Sequence, residues 1–135
     1  MSLEIEHRER EGVALMDLRG RITIGEEASA FRTAVEKVAA EPGVRLLLNM
    51  QEVDYVDSTG LGALVMCSTR LRKSEGVAKL VNVNRRNIEL IVMTKIDSIF
   101  EVFDDETDAI NSFFPGRKIK GFDILSFVRQ MRDEE

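Results

Sequence analysis

Val53-Asp54-Tyr55-Val56-Asp57-Ser58-Thr59-Gly60-Leu61-Gly62-Ala63-Leu64-Val65 joins an apolar run, Val44 to Met50, to an amphipathic helical pattern. At the junction stand an acid, two hydroxyls and two glycines. Ser58, Thr59 and Gly60 fall where a helix starts, so their N–H groups have no partner within it. Such a point is either a cap or a place that accepts an added negative charge. The helix dipole and the free N–H groups both favour an anion there.

Upstream, Leu46, Leu47 and Leu48 in succession predict a strand apolar on both faces, at the centre of a sheet covered on both sides. Before it, Ala28, Phe31, Val35 and Val38 recur at helical spacing, and Glu41-Pro42-Gly43 stops that helix. At the start, Leu3, Ile5 and His7 alternate with Glu4, Glu6 and Arg8 as a half-buried strand. Arg10-Glu11-Gly12 turns the chain into a second strand, Val13 to Leu18, which makes an antiparallel hairpin. Gly20 breaks that strand, and Arg21-Ile22-Thr23-Ile24-Gly25 leads to the first helix.

Downstream, Leu61, Leu64, Val65, Ser68 and Leu71 mark the inner face of a helix that ends near Ser74-Glu75-Gly76. Val77 to Val83 reads as a strand, Asn84 as an N-cap, and Arg85 to Thr94 as a short helix burying Ile88, Ile91 and Val92. Ile99, Phe100 and Val102 read as a last strand. Asp104, Asp105, Glu106 and Asp108 then crowd the first turn of a helix holding Ala109, Ile110 and Phe113, where acids complement the positive dipole end. The order β-β-α-β-α-β-α-β-α predicts an α/β single domain. Its sheet is mixed and mostly parallel, of about five strands with about four helices. Phe114-Pro115-Gly116 marks a boundary between residues 1–114 and an extension, 115–135. Phe122, Ile124, Leu125, Phe127, Val128 and Met131 make the extension helical and apolar on more than one face. It therefore either packs on its own domain or serves in assembly, for instance as a homodimer contact.

The chain has 135 residues, enough for one two-layer core, and 44% of them are hydrophobic. A formal net charge of −5 argues against nucleic-acid binding, which needs a clustered positive surface. Arg70, Arg72 and Lys73 fit the dipole-favoured end of a helix, while Arg117, Lys118 and Lys120 form a second small basic run. The single cysteine, Cys67, excludes an internal disulfide and fits a small apolar residue in a reducing compartment. A charged N-terminus and the lack of any long apolar run give a cytoplasmic protein with no membrane insertion.

Enzymatic chemistry finds few parts. No Gly-x-x-x-x-Gly-Lys loop occurs, and Gly60 and Gly62 do not complete a dinucleotide fingerprint. His7 is the one histidine, which leaves neither a metal site nor a Ser-His-Asp triad. Ser58 lacks the Gly-x-Ser-x-Gly elbow, and the acid before Thr59-Gly60 is one residue too far for an aspartic protease motif. No catalytic residue, metal or cofactor is expected. Two readings of Ser58 stay open. As an N-cap it contributes about 1 kcal/mol. As a phosphorylation site it gains about −1.5 to −2 charges and three acceptor oxygens, which a helix start tolerates and a docked partner does not.

The corner Asp57-Ser58-Thr59-Gly60-Leu61-Gly62 resembles the STAS family, the sulfate transporter and anti-sigma factor antagonist domain. Leu18-Arg19-Gly20-Arg21-Ile22-Thr23-Ile24, Leu46-Leu47-Leu48-Asn49-Met50, Val53, Val56, Val81-Asn82-Val83 and Thr94 to Phe100 add to the likeness, which runs from about residue 3 to 112. The resemblance is closest to free-standing bacterial anti-sigma factor antagonists and implies a partner switch. The unphosphorylated protein binds an anti-sigma factor that is also a serine kinase of the GHKL type, and this frees a sigma factor. The kinase phosphorylates the serine matching Ser58, and a PP2C-type phosphatase reverses it. The implied contact surface is Asp57, Ser58, Thr59, Gly60 and Leu61 with Arg21, Ile22 and Thr23. The alternative is a constitutive STAS scaffold in a stressosome-like or transport complex, with Ser58 only a cap. Two departures stand out: Lys95 replaces a glycine of the family's Thr-Gly-Leu, and the residues after Pro115 exceed the minimal domain.

Overall fold

The computed structural model describes residues 2–134. Five strands form one sheet in the order β1-β2-β3-β4-β5: β1 (Leu3–Arg10), β2 (Val13–Ile22), β3 (Arg45–Val56), β4 (Val77–Val81) and β5 (Val102–Phe103). β1 pairs with β2 antiparallel and every later pair is parallel. The helices are α1 (Glu26–Ala39), α2 (Ser58–Lys73), α3 (Arg85–Met93), α4 (Glu106–Asn111) and α5 (Ile124–Asp133). The expected mixed, mostly parallel sheet is therefore what forms.

Alternation along β3 builds two cores. Leu46, Leu48 and Met50 join Phe31 and Val35 of α1, Leu64 and Leu71 of α2, and Ile88 and Ile91 of α3. Leu47 points the other way, with Val13, Leu15, Val81 and Phe103, against Ala109, Ile110 and Phe113 at α4. A strand buried on both faces needs no polar alternation, which is why its sequence reads as continuous leucine. α5 packs along α3, burying Val128 and Met131 and half-burying Phe122, Ile124 and Phe127, while Leu125 faces solvent.

Several boundaries differ from expectation. Gly20 does not end β2. The strand runs on to Ile22 through irregular pairing around Gly20, whose φ of 114° is glycine's territory. Ile99 and Phe100 lie outside the last strand: a short 3₁₀ turn at Ile96–Ser98 swings Phe100 into the core, and only Val102–Phe103 pair with β4. The acids of α4 do more than complement its dipole. Glu106 holds Arg8 and Arg10 at 2.8 and 2.9 Å. Asp108 is buried and accepts from the N–H groups of Lys120 and Gly121 at 2.7 and 2.9 Å, fastening the extension to the domain. Arg8 also grips Asp17 on β2, and this bond is the first cause of an Asp17 carboxyl held below its ordinary range.

Lys95 occupies a left-handed conformation, φ 63° and ψ 21°, just after α3. The position thus uses the backbone that glycine adopts freely, and lysine is strained there. Lys95→Gly is expected to raise stability by up to about 1 kcal/mol, measured by urea denaturation; an unchanged or lower midpoint would contradict this.

Candidate functional site

β2 and β3 end side by side at the carboxyl edge of the sheet, with Arg21 opposite Tyr55 and Ile22 opposite Val56. Ligands of open α/β sheets gather at such edges, because the loops leaving parallel strands converge there. Here the converging segments are the loop from Thr23 to Gly25 and the Asp57 corner.

Asp57 is the N-cap of α2, and Ser58 is the first helical residue. Of the two readings of Ser58, the cap gives way: an aspartate one residue earlier reaches the free donors first. Asp57 Oδ1 accepts from the Gly60 N–H at 2.8 Å, and Oδ2 accepts from the Ile24 N–H at 2.9 Å. The Asp57 N–H in turn donates to the Ile22 carbonyl at 3.3 Å. One carboxylate therefore caps the helix and ties down the neighbouring loop. The Gly60 bond, then the Ile24 bond, holds its carboxyl below the ordinary range, so it is ionised at neutral pH.

The two glycines have different roles. Gly60 is buried, and a Cβ there would lie 1.9 Å from the Ile22 carbonyl oxygen, so this glycine lets the loop and helix touch. Gly62 faces solvent with open space around it. Ile22 is also fully buried. Ile22 and Gly60 thus support the corner from beneath. Ser58 is exposed, and Arg21, Thr23, Asp57, Thr59 and Leu61 are half-buried around it.

Sequence reasoning missed several neighbours. Ile24 is 72% exposed beside the corner, and Met93 is 67% exposed on α3. Tyr55 and Met93 line one groove with Ser58, and Ile24 adjoins the corner through its N–H bond to Asp57. Their signal is an apolar residue off its element's core stripe: Met93 falls outside the Ile88–Ile91 face, and Ile24 lies in a loop. α3 is fixed close to this edge because Asn84 Nδ2 and Asn87 Nδ2 both donate to the Val53 carbonyl, at 2.8 and 3.0 Å. Asn84 Oδ1 caps α3 by accepting from the Asn87 N–H, as its sequence position predicts.

Residues 4–109 match the STAS domain. The chain belongs to the STAS domain family. Two relatives are each 28% identical to this STAS protein. The anti-sigma-B factor antagonist of Bacillus subtilis aligns over 76% of this chain and 92% of its own length. The anti-sigma-F factor antagonist RsfB of Mycobacterium tuberculosis aligns over 86% and 93%. A solved anti-sigma factor antagonist from Mycobacterium paratuberculosis superposes with a TM-score of 0.70 at 24% identity, covering 82% of this chain and 93% of that one, and shares the fold. Among the described residues of the STAS protein, no group of three His, Cys, Asp or Glu is placed to hold a metal ion. None of its described helices is long and apolar enough to cross a membrane. Cys67 is buried on α2 where that helix faces α1, and burial pushes its thiol up to about 12.

Proposed function

We propose that this STAS protein is an anti-sigma factor antagonist controlled by phosphorylation at Ser58. In its unmodified form it binds an anti-sigma factor, itself a serine kinase of the GHKL type, and so frees a sigma factor in the cytoplasm. Modified on Ser58, it lets go, and a PP2C-type phosphatase restores it. The protein is a substrate and a switch and catalyses nothing.

Ser58 carries this proposal: it is an exposed hydroxyl on the first residue of a sixteen-residue helix whose cap is already supplied by its neighbour. Since Asp57 does the capping, the serine hydroxyl is free for other chemistry. A phosphoryl group there sits at the positive end of α2, where the fold accommodates it. The same group faces any protein docked across Ile24, Ser58 and Leu61. The test compares affinity for the cognate anti-sigma factor before and after phosphoserine is installed at position 58. Loss of binding with an unchanged far-UV spectrum supports the switch, and equal affinity of the two forms rejects it.

A further inference from the structure

We infer that the groove between the Ser58 corner and α3 receives an apolar side chain of the partner protein, flanked by a carboxylate that pairs with Arg86. The identity of that partner, an anti-sigma factor, rests on the function proposed above. The groove measures about 510 Å³ and has Ser58 on its rim. Its walls are Tyr55, Leu61, Leu90 and Met93, and Tyr55 and Met93 are 37% and 67% exposed. Apolar side chains gathered around a polar rim are the surface that a partner's apolar anchor fills.

Two polar groups in the same groove define what accompanies the anchor. Arg86 stacks its guanidinium 4.9 Å above the Tyr55 ring and has no ion pair among the described residues, although Asp57 and Glu89 also line the groove. A cation held in place by an aromatic face is preorganised to take a planar carboxylate through two parallel hydrogen bonds. Asn87 is 2% exposed, and its Nδ2 is committed to the Val53 carbonyl, which fixes the orientation of the amide. Its Oδ1 then has no donor. Among the described residues, one other buried side-chain polar atom is without a partner, Arg21 Nε, on the strand residue that pairs with Tyr55.

The groove also explains why a modification on its rim is so effective. A phosphoryl group on Ser58 competes for Arg86 and repels the carboxylate that would pair with it. One added group therefore removes an attraction and adds a repulsion.

The experiment measures the dissociation constant of the full-length chain for its anti-sigma factor by calorimetry, for wild type, Met93→Glu, Arg86→Gln and Ser58→Asp. Both groove side chains are exposed, so thermal unfolding is expected to be unchanged. Met93→Glu and Arg86→Gln should each weaken binding by about ten- to a hundredfold. Arg86→Gln should also flatten the fall in affinity between about 0.05 and 0.5 M salt. Affinity unchanged in both groove variants while Ser58→Asp abolishes binding overturns the groove and leaves the switch standing. Affinity unchanged in all three overturns both. A groove variant that alters self-association and not partner affinity makes the occupant a second copy of the chain, and overturns the assignment.

Discussion

Gly60→Ala is expected to lower the unfolding temperature by roughly 10 °C, while Gly62→Ala, two residues along the same motif, raises it by about 2 °C. At position 60 the new Cβ would stand 1.9 Å from the Ile22 carbonyl oxygen, 2.8 Å from the Ile22 carbonyl carbon and 2.9 Å from Val56 Cγ1. None of these can yield cheaply. The Ile22 carbonyl belongs to β2 and accepts from the Asp57 N–H, and Val56 is packed in the main core. Relief requires moving α2 away from the β2 loop, which would also stretch the Asp57–Ile24 bond. Forced overpacking of this kind costs about 3 kcal/mol. At position 62 nothing lies within 4 Å of the added methyl, and the residue is exposed within a helix. There alanine gains about 0.5–1 kcal/mol over glycine through backbone entropy alone. Differential scanning calorimetry of the two variants decides the matter, and a Gly60→Ala unfolding temperature at or above that of wild type would mean that the loop and helix are not in contact at Gly60.

That contrast shows what the sequence can and cannot reveal here. The strand of three leucines, the tight hairpin turn and the Asn84 cap were legible because each is a local pattern. In the hairpin, Glu11 and Gly12 both take positive φ, the geometry that two-residue turns demand. The location of the corner was legible for the same reason. Its internal wiring was not, because Asp57 meets Ile24 across thirty-three positions and Gly60 meets Ile22 across the strand pair. Two glycines two residues apart look equivalent until packing separates them. The acids of α4 misled in the same way. Near a helix start, dipole complementarity suffices to explain an acid, yet Glu106 and Asp108 are claimed by β1 and by the extension. Arg86 and Asn87 fell outside the motif because α3 meets the corner through contacts distant in sequence, Arg86 on the Tyr55 ring and Asn87 on the Val53 carbonyl.

Ser58→Asp is expected to leave the fold within about 1 kcal/mol of wild type while weakening partner binding by a hundredfold or more. The small effect on folding follows from two opposed terms. A carboxylate in the first turn of α2 gains about 0.3–1 kcal/mol from the dipole and the free N–H groups. Against this stands the neighbouring Asp57, whose charge is already engaged by the Gly60 and Ile24 N–H groups. At an exposed site the repulsion between two carboxylates is about 1 kcal/mol or less, since water screens it. Docking removes that water. A charge then pressed against an apolar wall or a partner acid costs several kcal/mol, and each 1.4 kcal/mol is about tenfold in affinity. Ser58→Ala removes only the hydroxyl, adds no charge and leaves the Asp57 cap in place, so it should bind within about threefold of wild type and resist inactivation by the kinase. Calorimetric titration with the anti-sigma factor, paired with thermal unfolding of each variant, separates the two effects. Tight binding by Ser58→Asp would mean that the corner is not covered in the complex, and a large fall in its unfolding temperature would mean that the helix start does not accept the charge.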